Sequence, residues 1–350
     1  MIDTNSIASR RYSRQFPATK PLPKAQPLLQ QMGAMQAQDY EMMLWAIACR
    51  TGETRSQIER QFEEGLLIRS YLLRPTWQVV SAEQYASLLA LSAPRIRRSL
   101  QARHRKLEID GALLRRTFSL LEQRFAKQII CSRAELRHYL EQAKIDLSQN
   151  RLYHLLLCAA LEGIICGAKP EGREQRYRLL SLTKNEGMGE AESLALLAEA
   201  YFRYRGPATL ADFAWWAGLK RKEAREAIAS LGQQLGVETI HKVEYYDWID
   251  QPPTQAGLCL LPAYDELTIA YPDKQFLLHD PTNLPQISRS GVFYPLIIED
   301  GRAIGNWKLT KEDQIKLTFF DGGAPPSREA LEQAVSFYAH FVERSVTIEG

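Results

Sequence analysis

Along the first 250 positions apolar residues follow a recurring order: a run with helical period, a capping signature, two further helical runs, then two short alternating stretches. The clearest copy predicts a helix from about Gly111 to Lys127, a short strand at Ile129–Cys131 and a second helix opened by Ser132. Ser132-Arg-Ala-Glu135 has capping-box spacing, in which the hydroxyl accepts an orphan amide of the first turn and the Glu reaches back to the cap. That helix is expected to reach about Ala143. A third, from near Ser148, carries Arg151, Leu152, Leu155, Leu156 and Ala159 and stops at Gly163, the residue type that ends helices most readily. Strands at Ile164–Ala168 and Arg176–Ser181 flank Lys169-Pro-Glu-Gly172, a turn composition. Three helices and a hairpin make the winged-helix plan, a helix-turn-helix variant whose third helix can enter a major groove.

The order returns about 77 positions later. A helix over Glu190–Tyr204 meets a break at Gly206-Pro207, Thr209-Leu-Ala-Asp212 caps Ala211–Ala217, and a third helix is expected over Lys220–Leu235, with a wing from Val237–His241 and Val243–Ile249. A more divergent copy precedes both, with a helix from Thr54 to Glu64, a stop at Gly65, and strands Leu67–Leu73 and Thr76–Ser81 around Arg74-Pro75. From Leu258 the texture changes to short apolar runs at 258–261, 266–270, 275–278, 292–299, 303–307 and 314–320, with a strong hairpin signal at Asp300-Gly301. This predicts a small antiparallel sheet or barrel closed by a helix over Ser327–Glu343, where Leu331, Val335, Tyr338 and Val342 share a face. The expected class is therefore α+β: tandem winged-helix domains at 1–110, 111–183 and 184–250, then a C-terminal antiparallel β-barrel over 251–350.

Composition narrows the function. The chain has 350 residues, 45% apolar and 24% charged, an ordinary globular balance. No apolar run approaches a membrane span, and residues 1–16 lack a secretory leader, so a cytoplasmic, non-membrane protein is expected. Five scattered cysteines and six dispersed histidines show no ligand spacing, so neither a metal, a cofactor nor a disulfide framework is expected. No glycine-rich phosphate loop of either common type is present.

Net charge is only +3, yet residues 1–182 hold 28 Lys/Arg against 17 Asp/Glu, and 183–350 hold 16 against 24. Such asymmetry points to a polyanionic partner, because cations that neutralise phosphates release condensed counterions. The densest stretch comprises Arg95, Arg97, Arg98, Arg103, Arg105 and Lys106. A run of this kind serves equally well as a solvated helix face.

Few residues are placed to do chemistry. Gly33-Ala-Met-Gln36-Ala37-Gln38 lies between a helical pattern ending near Gly33 and another opened by Asp39, a good N-cap for Tyr40–Arg50. Glutamines at i and i+2 of an extended linker point the same way, though a loop can use them only to satisfy its backbone. The stretch resembles the Gln-x-Gln motif of the AlkZ-like DNA glycosylases, in the superfamily of winged helix DNA-binding domain proteins. Leu73-Arg-Pro-Thr76-Trp77, Leu261-Pro-Ala-Tyr264-Asp265-Glu266, Tyr271-Pro-Asp273-Lys274 and Asp300-Gly-Arg-Ala-Ile-Gly305-Asn-Trp307 agree with it in order. The resemblance spans about residues 5–345.

It implies three tandem winged helices around a DNA channel, with Gln36 and Gln38 hydrolysing the N-glycosidic bond of N7-alkylated guanine, crosslinked bases included. One position departs: many members carry His where this chain has Gln78, leaving a contact there with DNA or the lesion in question. A neutral amide suits the reaction. Alkylation at N7 makes the purine cationic and a good leaving group, so the amide need only orient water, its carbonyl accepting from the nucleophile and its NH₂ donating to a sugar oxygen. A crosslinked base cannot swing into a deep pocket as flipped bases do, so an open channel is expected.

Asp265 and Glu266 are secondary catalytic candidates, able to stabilise an oxocarbenium-like sugar as carboxylates do in glycoside hydrolysis, or else they hold a loop. Trp215, Trp216 and Trp307 read as packing residues; Trp77 could pack or stack on a base. The expected partner is double-stranded DNA with alkylated bases, bound by a monomer. The basic run would grip it, with Arg151, Arg173, Arg176 and Arg178 as helix or wing contacts and Thr76, Trp77 and Gln78 from the first hairpin. A non-catalytic winged-helix regulator or architectural protein, and a glycosylase for a different lesion, both stay open at this level.

Overall fold

The computed structural model describes residues 4–16, 24–180, 188–250, 257–320 and 325–349. The expected end of the second hairpin at Ser181 and the boundaries at 183 and 251 fall outside them. In the second unit the helices Gly111–Phe125, Arg133–Gln142 and Arg151–Leu161 are followed by strands Ile165–Glu171 and Glu174–Leu179. The Ser132/Glu135 capping box forms as expected. Helix Arg151–Leu161 is buried on nearly every side from Leu152 to Leu161, which is why its sequence is apolar without a clean stripe.

The third unit has helices Glu190–Arg205, Leu210–Ala217 and Arg221–Ser230, then a hairpin of Leu235–Ile240 and Val243–Trp248. Its last helix is shorter than expected. The chain turns at Gly232, whose φ is 53°, and Leu235 already belongs to the strand. The first unit shows the Thr54/Gln57 capping box and strands Leu67–Leu72 and Thr76–Ser81, and then a 25-residue helix, Ala82–Lys106, that carries the basic run.

The hairpins of the first two units do not stand apart. They form one six-stranded sheet, joined where Arg69 lies opposite Gly167. A Cβ on Gly167 would approach the Trp77 ring to 3.0 Å and the Arg69 carbonyl to 3.2 Å, so the seam depends on the missing side chain. The short strand Met35–Gln36 forms one edge of this sheet by pairing antiparallel with Gln78–Val79.

In the C-terminal third the expected sheet is present as a curled half-barrel, and the closed barrel is corrected. Strands Leu258–Leu261, Leu296–Glu299, Arg302–Leu309, Gln314–Phe319 and Thr347–Ile348 make a sheet in a single linear order, whose two edge strands do not pair with each other, and the last strand joins in parallel. Two expected strands are helical turns instead, Glu266–Ile269 and Gln275–Leu277. The Asp265 side chain accepts the Leu267 amide and so caps the first of these, a local bond that competes with strand pairing. Helix Arg328–Val342 packs Val335, Tyr338 and Phe341 inward as its period requires.

Candidate active site

The Gln-x-Gln linker is fixed from both ends. Helix Ala25–Met32 stops at Gly33, at φ 77°, and Asp39 accepts the Met42 amide to start helix Tyr40–Thr51. Between them Met35 and Ala37 are buried while Gln36 is partly exposed and Gln38 exposed, the alternation of an extended chain. Ala37 is held on both sides of its peptide: its N–H donates to the Trp77 carbonyl at 2.9 Å, and its carbonyl accepts Arg69 Nε at 2.9 Å. Arg69 has no carboxylate partner among the described residues. Burial lowers its pKa to about 10, and it is seated over the Trp77 ring with Nη1 donating to the Gln175 amide oxygen.

Asp265 and Glu266 lie behind the linker, each about 1% exposed. Asp265 receives both terminal nitrogens of Arg50 at 2.8 and 2.9 Å. Glu266 Oε1 accepts the Gln36 backbone amide at 2.8 Å, while Oε2 accepts Arg205 Nε at 2.8 Å and Trp216 Nε1 at 2.9 Å. Arg205 also donates to the Met32 and Ala34 carbonyls. With their oxygens occupied and turned from the open surface, the two carboxylates hold the loop, and Glu266 orients the residue that presents Gln36.

The Ala37 N–H, whose nearer acceptor is the Trp77 carbonyl at 2.9 Å, also lies 3.2 Å from the Gln36 amide oxygen. Gln78 Nε2 donates to the same oxygen at 3.2 Å and to Thr76 Oγ1 at 3.1 Å. The surface position expected for Gln78 is corrected. Gln78 is 1% exposed and serves Gln36 from behind, not DNA from the surface. The Gln36 amide oxygen thus has two donors, while Gln38 is exposed.

Both glutamines line a cleft of about 710 Å³ at the junction of all the units. The first hairpin contributes Tyr71, Arg74, Thr76 and Trp77; the second unit gives Arg133, Tyr153, Gln175 and Tyr177; the third gives Trp215; and the C-terminal region gives Tyr264, Lys274 and Phe293. Among the described residues no acidic side chain lines it. Trp77 is 4% exposed and packs between Tyr71 and Tyr177, forming the floor. Trp216 and Trp307 are buried as expected, but Trp215 is 49% exposed and faces the cleft. Helix Leu210–Ala217 buries Phe213, Ala214, Trp216 and Ala217, and the intervening position must turn outward.

The basic run sits elsewhere, on the helix that ends at Lys106. Arg95 is committed to Glu190 and Glu223, Arg97 to Glu162, and Arg151 to Asp146 and Glu108. Arg103 reaches the Gln149 carbonyl; Arg98, Arg105, Lys106 and Arg173 are exposed. Arg176 pairs with Glu171, and it and Arg178 border a separate groove behind the shared sheet. The cationic residues that line the cleft, Arg74, Arg133 and Lys274, are not singled out by charge density because each stands apart from the basic run. Two of them fall within the stretches that carry the family resemblance, which is the signal that marks them. Among the described residues no helix is long and apolar enough to cross a membrane.

A family model described as DNA glycosylase AlkZ-like matches residues 29–341. An interstrand DNA cross-link repair glycosylase of Streptomyces sahachiroi is 22% identical over 349 residues, which covers 93% of this chain and 92% of that protein. The solved structure of Streptomyces sahachiroi DNA glycosylase AlkZ superposes with a TM-score of 0.81 at 18% identity, covering 99% of this chain and 98% of that one. That structural likeness is one of fold.

Proposed function

This chain belongs to the AlkZ-like DNA glycosylase family, and from that premise we propose that it is a monofunctional glycosylase that hydrolyses the N-glycosidic bond of N7-alkylated purines in duplex DNA, including purines tied into interstrand crosslinks. Its three helix-and-hairpin units act as tandem winged helices around the duplex. The observation that carries this reading is the company the glutamines keep: two amides on the wall of an open cleft lined by aromatic rings and cations, with no acid among its described lining residues.

Such a site has little to offer an undamaged base. Its described lining residues include no carboxylic acid or histidine to protonate a neutral leaving group, whereas an N7-alkylated purine departs without that help. Gln38 orients the attacking water through its carbonyl, and Gln36, its own oxygen held by Ala37 and Gln78, donates from its NH₂ to the sugar. Orientation of this kind converts an encounter with water into a directed attack. The cross-link repair activity named for the Streptomyces sahachiroi relative supports the inclusion of crosslinked substrates, and an open cleft accommodates a base that cannot be swung free.

The test is incubation with duplex DNA carrying N7-methylguanine. Released base is expected from the unaltered chain, with loss in Gln36→Ala and Gln38→Ala. Tight binding without release would favour a non-catalytic winged-helix protein. Because phosphate contacts position without reading sequence, affinity should depend steeply on salt and weakly on sequence.

A further inference from the structure

The turn of the first hairpin holds a residue that its packing does not explain. Arg74 is largely withdrawn from solvent, yet its guanidinium makes no salt bridge or hydrogen bond among the described residues, and its Nε is buried without a partner. Burial accordingly lowers its pKa, countered only by the more distant Glu266 and Tyr201, and Glu266 is already engaged by Arg205. Only Nε is buried; the two terminal nitrogens stay open to the cleft without a protein partner.

The backbone is nevertheless arranged to keep Arg74 there. Leu73 has φ 59°, a region that a leucine enters only when its surroundings insist. Those surroundings come from separate elements: the Leu73 amide donates to Ser92 Oγ at 2.9 Å, and the third unit seats Gly218 so closely on the Leu73 carbonyl that a Cβ would overlap it. Pro75 stiffens the other side of the turn. The guanidinium stands over the exposed Trp215 ring at 5.2 Å, in the same cleft as Gln36 and Gln38. Lys274 shares that cleft, its ammonium anchored on the Tyr271 and Pro272 carbonyls, and Arg74 is close enough to lower its pKa further, after burial has done so.

We propose that Arg74, supported by Lys274 and steered by Trp215, is the phosphodiester-binding subsite of the catalytic cleft, clamping a phosphate of the strand that carries the reacting nucleotide. This rests on the proposed glycosylase reading for the word reacting, but not for the anion. A planar guanidinium offers paired N–H donors that match two phosphate oxygens. The missing counter-charge is then supplied by the ligand. A cationic ligand is disfavoured by the absence of acid among the described lining residues.

The experiment is equilibrium binding of the full chain to a short duplex containing a stable abasic-site analogue, measured across salt concentrations for the unaltered protein, Arg74→Gln and Arg74→Lys, alongside thermal melting of each. Arg74→Gln is expected to weaken binding about tenfold or more and to reduce the slope of log affinity against log salt by about 1. Its melting temperature should stay level, since the guanidinium makes no ion pair or hydrogen bond among the described residues; Arg74→Lys should recover the slope but not the full affinity. Unchanged affinity and slope in Arg74→Gln, or a fall in melting temperature that accounts for the weaker binding, overturns the proposal. If binding depends on Arg74 but no base is released from alkylated DNA, the subsite stands and the glycosylase reading fails. If base is released while binding is independent of Arg74, the subsite fails and the glycosylase reading stands; no binding to duplex at all defeats both.

Discussion

Glu266 accepts the backbone amide of Gln36 at 2.8 Å across 230 positions of sequence. Its other oxygen holds Arg205, which is 0% exposed. One carboxylate thereby ties the C-terminal region, the third unit and the Gln-x-Gln linker together, and the linker's place in the cleft depends on a residue far from it in the chain.

Glu266→Gln should leave Arg205 buried without its counter-charge. A loss of about 3–5 kcal/mol is expected for breaking such a pair from one side. Urea unfolding measures it; a loss well under about 1 kcal/mol would show that the Met32 and Ala34 carbonyls suffice for Arg205.

Gln78→Leu removes the side-chain donor to Gln36 Oε1 while keeping a similar volume. Base release should slow by roughly ten- to a hundredfold, through a lower kcat with KM nearly unchanged, because orientation and not binding is lost. Gln78→His, which can still present a ring N–H, should recover much of the rate. Equal rates for Leu and His variants would mean that Gln36 does not need the bond.

Gly218→Ala puts a Cβ against the Leu73 carbonyl at a φ of 66°. The expected cost is about 1–3 kcal/mol. Gly172, at φ 58° with nothing within 4 Å, is the control: Gly172→Ala should cost only about 1 kcal/mol. Denaturant midpoints of the two variants should separate in that order.

His104 Nε2 and His154 Nδ1 lie 3.2 Å apart, and burial lowers the pKa of both rings. One ring must donate and the other accept, so the pair is compatible with the fold when neutral. Above the ordinary value of 6.5 their contribution is fully present. As pH falls through that value toward the lowered folded values, the unfolded chain takes up protons first and stability declines, levelling off once the folded rings are protonated as well. Melting temperatures between about pH 8 and 5 should therefore drop more steeply in the unaltered protein than in a His104→Gln, His154→Gln double variant. Parallel curves would remove the pair from the acid response.

Local signals in the chain suffice for most elements. The capping boxes at Thr54, Ser132 and Thr209 form where their spacing places them, because capping is settled within four residues. The outward alternation of Gln36 and Gln38 is legible for the same reason. Where a local bond opposes the pattern, the sequence misleads: Asp265 caps a helical turn over a stretch that reads as strand, and the chain turns at Gly232 where the apolar period would carry a helix on.

Tertiary structure decided what those residues are for. Charge density in sequence marks Arg95 and Arg97, but acids brought from other elements neutralise both, whereas Arg74 and Arg133, outside the basic run, reach the cleft with no ion-pair partner in the described residues. Sequence alone determined most of the elements, the paired amides and the family likeness. Only the fold could determine that Gln78 serves Gln36, that Asp265 and Glu266 are structural anchors, and that Trp215 faces outward, because hydrogen-bond saturation and exposure are properties of neighbours that the chain order does not contain.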